Sequence, residues 1–249
     1  MISVCIATYN GEQFIKSQLE SILKQLSADD EVIVSDDEST DSTLSIIRSL
    51  NDSRVKIHTH KKDPSLFGVT AASFFLASEN FENAIMHSNG DYIFFSDQDD
   101  IWIEGRVAKT LPLLQTNGMV MCNFSTIDSN GNIITESVRP DNPVSGSLLH
   151  NMLKTPFLGC CMAFQREMLM KTLPFPKPCI GHDFWIGCLL MQIGTTYSYI
   201  ETPLHLYRVH GHNVSPTIGK SKNSFIFKIY YRVKFILQIT KHLICLNKH

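Results

Sequence analysis

From Pro203 to the last residue there is no aspartate or glutamate, although eight lysines and arginines fall there. The preceding 202 residues hold the other 14 basic side chains and all 24 acidic ones, so a body near −10 joins a tail of +8 behind a net charge of −2. Charged residues make up only 18% of the 249, and 13 glycines and 10 prolines are too few for a collagen-like or low-complexity chain. Apolar residues, at 43%, suffice to fill a core of one large α/β domain or two small ones. No uncharged apolar run reaches the roughly 18 residues a membrane span needs. Met1-Ile2-Ser3-Val4 also lacks the basic start of a secretory signal, so a cytoplasmic location is expected. The seven cysteines are odd in number and contain no C-x-x-C spacing, which argues against zinc and dithiol chemistry and reads as reduced, mostly buried fillers.

What is present is an alternation of strand and helix. Val4-Cys5-Ile6-Ala7 is a β-leaning run that ends at Thr8-Tyr9-Asn10-Gly11, and Phe14, Ile15, Leu19, Ile22, Leu23 and Leu26 follow at helical spacing. Glu31 to Ser35 repeats the strand, Asp36 to Asp41 the loop, and Leu44, Ile47 and Leu50 the helix; a third strand is expected from Arg54 to Thr59. A helix within 68–88 leads to a buried strand, Asp91 to Ser96, that runs into Asp97-Gln98-Asp99-Asp100. Leu158 to Phe164 and Thr195 to Ile200 read as further strands, a helix starts near His182-Asp183, and 119–144 mixes a strand with turn residues. This order implies a mostly parallel sheet whose ligands sit beyond the carboxyl ends of the strands. The first loop, Asn10-Gly11-Glu12-Gln13, lacks G-x-G-x-x-G, which speaks against a dinucleotide dehydrogenase. A phosphoacceptor receiver domain shares the acidic strand ends but is about half this length.

Asp97 and Asp99 are two apart, so both point to one side if strand geometry persists, where a hard cation such as Mg²⁺ or Mn²⁺ suits their oxygens and leaves positions open to phosphate. The alternative is a solvated acidic turn with Asp100 capping a helix at Ile101-Trp102. Asp36 and Asp37 end an earlier strand, where a carboxylate accepts hydrogen bonds from a base or ribose; capping of the next helix by Ser39, Thr40 or Asp41 is the competing account. Tyr9 packs against a base or sits in a plain β-to-α turn. Arg208, His210 and His212 supply cations on a loop that closes over a diphosphate, with one histidine completing a metal shell; equally, they form a surface loop without function.

The ordered set Ala7-Thr8-Tyr9-Asn10-Gly11, Ser35-Asp36-Asp37-Glu38-Ser39-Thr40-Asp41, Asn89-Gly90-Asp91 and Ser96-Asp97-Gln98-Asp99-Asp100 resembles glycosyltransferase family 2 across residues 1–110. Gly159-Cys160-Cys161-Met162, Gly181-His182-Asp183-Phe184-Trp185 and Tyr207 to Ser215 resemble its bacterial surface-polysaccharide branch. The resemblance implies a GT-A fold: an α/β, mostly parallel Rossmann-like sheet. Residues 1–110 then form its nucleotide-sugar half and 111–216 its acceptor half, followed by a basic tail over 217–249. It implies that Thr8, Tyr9, Asp36 and Asp37 hold the nucleotide, with Asp37 toward uracil or thymine. Asp97 then lies near the ribose or metal, Asp99 is the principal metal ligand and Asp183 the general base of an inverting transfer. Many members carry Glu-Asp where this chain has His182-Asp183. An aspartate at a partly desolvated helix start also suits a tuned base, or a plain N-cap. Gly159, Cys160 and Cys161 shape an acceptor cleft or serve tight packing, and His182 and Trp185 are placed in the same cleft.

The implied reaction moves a hexose from a nucleotide-diphosphate sugar, UDP-glucose ahead of dTDP-rhamnose or UDP-galactose, to an undecaprenyl-diphosphate-linked saccharide in O-antigen or capsule assembly. A catalytically inactive scaffold of the same fold is the alternative from another class, and no nucleic-acid partner is expected. On a helical wheel of the tail, Phe225, Ile226, Ile229, Tyr230, Val233, Ile236, Leu237, Leu243 and Ile244 share one face. Lys228, Arg232, Lys234, Gln238 and Lys241 share the other, broken by Phe227, Tyr231, Phe235 and Ile239. That pattern predicts contact with an anionic membrane, peripheral on the inner face, or else a helix packed on the domain.

Overall fold

The computed structural model describes residues 1–67, 72–138, 143–153, 155–179, 181–211 and 225–246, the side chains of 225–230 excepted. The first strands and helices alternate as β1 (Ile2–Thr8), α1 (Ile15–Leu23), β2 (Glu31–Asp36), α2 (Thr43–Ser49), β3 (Val55–Thr59), α3 (Ala72–His87) and β4 (Tyr92–Asp97). After them come β5 (Ile101–Trp102), α4 (Arg106–Leu114), β6 (Met119–Ile127), β7 (Ile133–Val138), α5 (Leu148–Leu153), β8 (Met162–Gln165), α6 (Arg166–Met170), α7 (His182–Gln192), β9 (Tyr197–Arg208) and α8 (Phe225–Leu246).

Successive side chains on β1 and β2 point to opposite faces, and both faces are apolar, as a strand covered on both sides requires. Val4, Ile6, Val32, Val34 and Phe94 pack with Ile15, Leu19 and Ile22 of α1 on one face. Cys5, Ile33, Ile93 and Phe95 pack with Phe81 and Ile85 of α3 and with Trp185, Ile186 and Leu189 of α7 on the other. The strand order is β3-β2-β1-β4-β8-β6-β9-β5, with β7 on β6. Strands β3, β2, β1 and β4 run parallel, and β8 joins β4 antiparallel. The register sets Thr8 beside Asp36, Ala7 beside Asp97 and Asp36 beside Thr59, so four carboxyl ends finish at one rim.

Four expectations are corrected. Strand geometry stops at Asp97 and the chain turns through Gln98 and Asp99, so alternation does not align the two aspartates. Ile101–Trp102 is a short strand on β9 rather than a helix start, and Asp100 is fully buried rather than a surface cap. Gly159–Cys161 is a 3₁₀ turn, leaving Met162–Gln165 as the strand. The strand expected at Thr195 to Ile200 runs from Tyr197 to Arg208. The untraced 119–144 stretch holds the β6–β7 hairpin.

Helix α8 reverses the expected use of its faces. Phe235 and Ile239 are buried, with the Phe235 ring stacked on Phe184 at 4.3 Å and edge-on to Trp185. His242 reaches the Lys171 carbonyl at 2.8 Å. Burial of two such side chains contributes about 1.5–3 kcal/mol each, enough to dock the helix. The opposite stripe, Val233, Ile236, Leu237 and Ile244, is exposed. The readings for the side chains of 225–230, and for His212, lie outside the described residues. Among the described residues, no helix is long and apolar enough to cross a membrane, and all seven cysteines are free, with only Cys245 exposed.

Candidate active site

The rim where β1, β2 and β4 end is built from residues that must leave strand geometry at once, and two of them, Asn10 and Glu38, do so at positive φ (48° and 57°). Asp36 is consumed in holding that rim together. Its carboxylate accepts the Thr8 hydroxyl at 2.7 Å, the Ser39 hydroxyl at 2.6 Å and the Ser39 amide at 2.8 Å. Asp36 and Thr8 are both buried, so the pair braces the loop rather than facing a ligand. Asp37 differs: its Oδ1 meets His60 Nδ1 at 2.6 Å, and burial pushes its carboxyl up, with Asp36 adding to the rise while His60 and Lys62 oppose it. Tyr9 is exposed, and Lys62 Nζ lies 3.0 Å from its ring centroid, so one face is already covered by a cation.

The acidic turn after β4 is pinned from two directions. Gln98 accepts the Tyr9 amide at 2.9 Å and donates to the Tyr9 carbonyl at 3.1 Å. Arg208 donates Nε to the Asp99 carbonyl at 2.7 Å and Nη1 to the Asp128 and Ser129 carbonyls, with its guanidinium over Phe14. That placement makes Arg208 a brace of the turn. His210 Nε2 lies 2.7 Å from Asp99 Oδ2, putting the imidazole beside any cation Asp99 would hold.

Under the turn runs a buried polar chain. Arg106, 1% exposed, places Nη1 at 2.6 Å from His205 Nδ1, and His205 Nε2 lies 2.7 Å from Asp100 Oδ2. A guanidinium only donates, so Nδ1 accepts and the remaining N–H of a neutral His205 points at Asp100. Burial, and then Arg106, hold His205 well below the usual imidazole range, in keeping with that tautomer. Arg208 adds its backbone N–H to Asp100 Oδ1 at 2.8 Å, and Arg106 also donates to the Cys160 carbonyl. Arg106 and His205 escape a local reading because the chain is assembled from the turn before β5, β9 and the turn before β8. No local pattern marks them.

Asp183 arrives from the other half of the chain. Gly181, at φ 84°, turns into α7 where a side chain would be strained, and Asp183 sits in the first helical turn accepting the Phe184 amide at 2.7 Å and the Gly159 amide at 3.3 Å. A Cβ on Gly159 would lie 2.9 Å from His182 Nε2 and 3.4 Å from Asp183 Cβ, so this close approach requires glycine. His182 is buried against Phe81 at 4.0 Å, and burial holds its imidazole below the usual range. Trp185 is in the core, its Nε1 on the Thr172 carbonyl at 2.9 Å, and so offers no surface to a cleft. Cys160 and Cys161 are buried as well, which favours packing as their role.

Asp97 feels charges from both parts of the site. Its carboxyl is held well above the usual range by burial and then by the charges of Asp100, Asp99 and Asp183. Carboxylates whose charges repel one another in this way are of the type a hard divalent cation suits. A second trio, Asp100, Cys160 and His205, has donor atoms within 4.8 Å of one another. Both His205 nitrogens are already engaged there, burial holds the Cys160 thiol protonated, and the adjacent Arg106 guanidinium repels a cation. Asp97 and Asp99 are the better pair.

A family model described as glycosyl transferase family 2 matches residues 3–173. An Escherichia coli UDP-Glc:alpha-D-GlcNAc-diphosphoundecaprenol beta-1,3-glucosyltransferase, WfgD, is 27% identical over 71% of this chain and 64% of its own length. The Shigella flexneri dTDP-rhamnosyl transferase RfbG is 28% identical over 84% of this chain and 72% of its own. Among solved structures, S. aureus TarS 1-349 in complex with UDP-GlcNAc superposes with a TM-score of 0.67 at 19% identity, covering 95% of this chain and 66% of that one. A Pyrobaculum calidifontis mannosyltransferase with GDP-Man and Mn2+ gives 0.55 at 20% identity, over 100% and 64%. The chain thus spans about two thirds of the length of several of these relatives, and the structural likeness establishes the fold.

Proposed function

The chain belongs to glycosyl transferase family 2, and from that premise we propose that it is an inverting transferase that moves a hexose from a nucleotide-diphosphate sugar to a polyprenyl-diphosphate-linked saccharide. The observation that carries this reading is the seat of Asp183 on the Gly159 amide, near enough to the turn after β4 for its charge to act on Asp97. In the proposed reaction, the Asp183 carboxylate takes the proton of an acceptor hydroxyl as that oxygen bonds to the anomeric carbon. The carbon–oxygen bond to the diphosphate breaks on the opposite face, and the electron pair leaves with the diphosphate. One displacement inverts the anomeric centre. Asp99 and Asp97 would hold Mn²⁺ or Mg²⁺, which supplies positive charge where the leaving diphosphate gathers negative charge. Asp37 reads the base, Tyr9 lies beside it, and His210 orients Asp99.

UDP-glucose is the favoured donor and undecaprenyl-diphosphate-linked GlcNAc the favoured acceptor, supported by the activity of the E. coli relative; dTDP-rhamnose is second, supported by the S. flexneri one. Surface-polysaccharide synthesis is the corresponding role. The test is transfer from a panel of UDP- and dTDP-sugars to lipid-linked GlcNAc. Turnover with UDP-glucose at least about tenfold above the others is expected, and turnover with none of the panel would overturn the reading.

The tail supports peripheral membrane attachment. Its exposed stripe of Val233, Ile236, Leu237 and Ile244 lies opposite the face docked on α7, and from Pro203 onward every charged side chain is basic. Apolar burial plus roughly 1 kcal/mol per basic residue near an anionic surface makes such a helix bind. The double substitution Val233→Asp, Leu237→Glu should cut co-flotation with phosphatidylglycerol vesicles about tenfold or more and leave transfer to a short soluble acceptor unchanged. Flotation equal to that of the unmodified chain would contradict the attachment.

A further inference from the structure

Strand β3 ends at Thr59, which pairs with Asp36 of β2, so the next residue on each strand, His60 and Asp37, emerge side by side at the same rim. The His60 backbone amide donates to the Asp36 carbonyl at 2.8 Å, which fixes where its side chain starts. Its Nδ1 then lies 2.6 Å from Asp37 Oδ1, between side chains only 16% and 5% exposed. A carboxylate can only accept, so the Nδ1–H of His60 donates and Asp37 Oδ1 accepts. With Oδ1 taken, Oδ2 is the oxygen left to meet a ligand, and it too can only accept.

We infer that His60 sets base selectivity by keeping Asp37 a pure hydrogen-bond acceptor, so that the site takes a base presenting an N–H at this point and rejects one presenting a lone pair. Uracil and thymine carry N3–H; cytosine carries an unprotonated N3. The inference rests on the reading of Asp37 as the base-facing carboxylate. The charged groups around Asp37 are His60, Lys62 and Asp36. Burial and Asp36 favour its neutral form, and His60 is the closest group that opposes them. Without the imidazole, a buried carboxyl beside a second carboxylate holds a proton for a larger share of the time. A protonated carboxyl donates, and cytosine N3 then finds a partner.

The test is calorimetric titration of the full chain with UDP and with CDP at fixed Mn²⁺, for the unmodified protein and for His60→Phe, His60→Asn and Asp37→Ala. The unmodified chain should prefer UDP by about 30-fold, the range of one unsatisfied buried polar contact. His60→Phe should shrink that preference to about threefold or less, chiefly by improved CDP binding, and His60→Asn, which places an amide N–H where Nδ1 stood, should restore most of it. If His60→Phe weakens UDP and CDP alike and leaves the ratio intact, His60 is a structural support and the inference falls while the base reading stands. If Asp37→Ala leaves the ratio unchanged, Asp37 does not face the base, and both fall.

Discussion

Replacing Asp183 with asparagine is expected to lower kcat by about 10²- to 10⁴-fold, the span of a lost general base, and to leave the affinity for UDP within about twofold. The amide keeps the volume and one of the two acceptor oxygens, which retains the 2.7 Å bond from the Phe184 amide and gives up the longer 3.3 Å one from the Gly159 amide, so α7 should still start at the same place. What it loses is the capacity to hold a proton taken from the acceptor hydroxyl. Steady-state kinetics beside calorimetry separates the two effects. Equal loss of turnover and of UDP affinity would place Asp183 in the nucleotide site and contradict its role as base.

Asp99→Ala should behave in the opposite sense. It removes a cation donor and strips His210 of its carboxylate partner, so UDP affinity in Mn²⁺ should fall about 10- to 100-fold, the worth of a charge-assisted contact or two, and turnover should fall with it. Chelation should weaken binding to the unmodified chain by the same factor and leave the variant where it was. The buried Arg106–His205–Asp100 chain below keeps the turn in place in both proteins, since breaking such a pair costs about 3–5 kcal/mol and neither substitution touches it.

The parts of the site carried by single β-to-α units were legible in the sequence. Asp36, Asp37 and Asp97 each end a short apolar run, and the parallel register that aligns them follows from strand–helix alternation. Long-range partnerships were not legible. His60 meets Asp37 only because β3 lies beside β2, and His205 meets Asp100 only because β9 lies beside β5. Asp100 resembles Asp97 and Asp99 in sequence, yet it is the one driven fully inward, because His205 and the Arg208 backbone amide supply partners from distant β9. For α8, the wheel located an apolar face, but Phe184 and Trp185 on α7 decided which side docked, and they selected Phe235 and Ile239. Trp185 reads as a cleft residue from its place near Asp183 and is in the core because, two residues on, α7 turns it to the opposite side, about 200° round.

The central claim is that a cation held by Asp99 joins this chain to the diphosphate of its donor. Anomalous scattering at the manganese edge from crystals grown with UDP and Mn²⁺ tests it directly. The account predicts a peak about 2.1 Å from an Asp99 oxygen and in contact with the nucleotide's phosphates. Bound UDP with no peak at Asp99, its carboxylate still held only by His210, would contradict it.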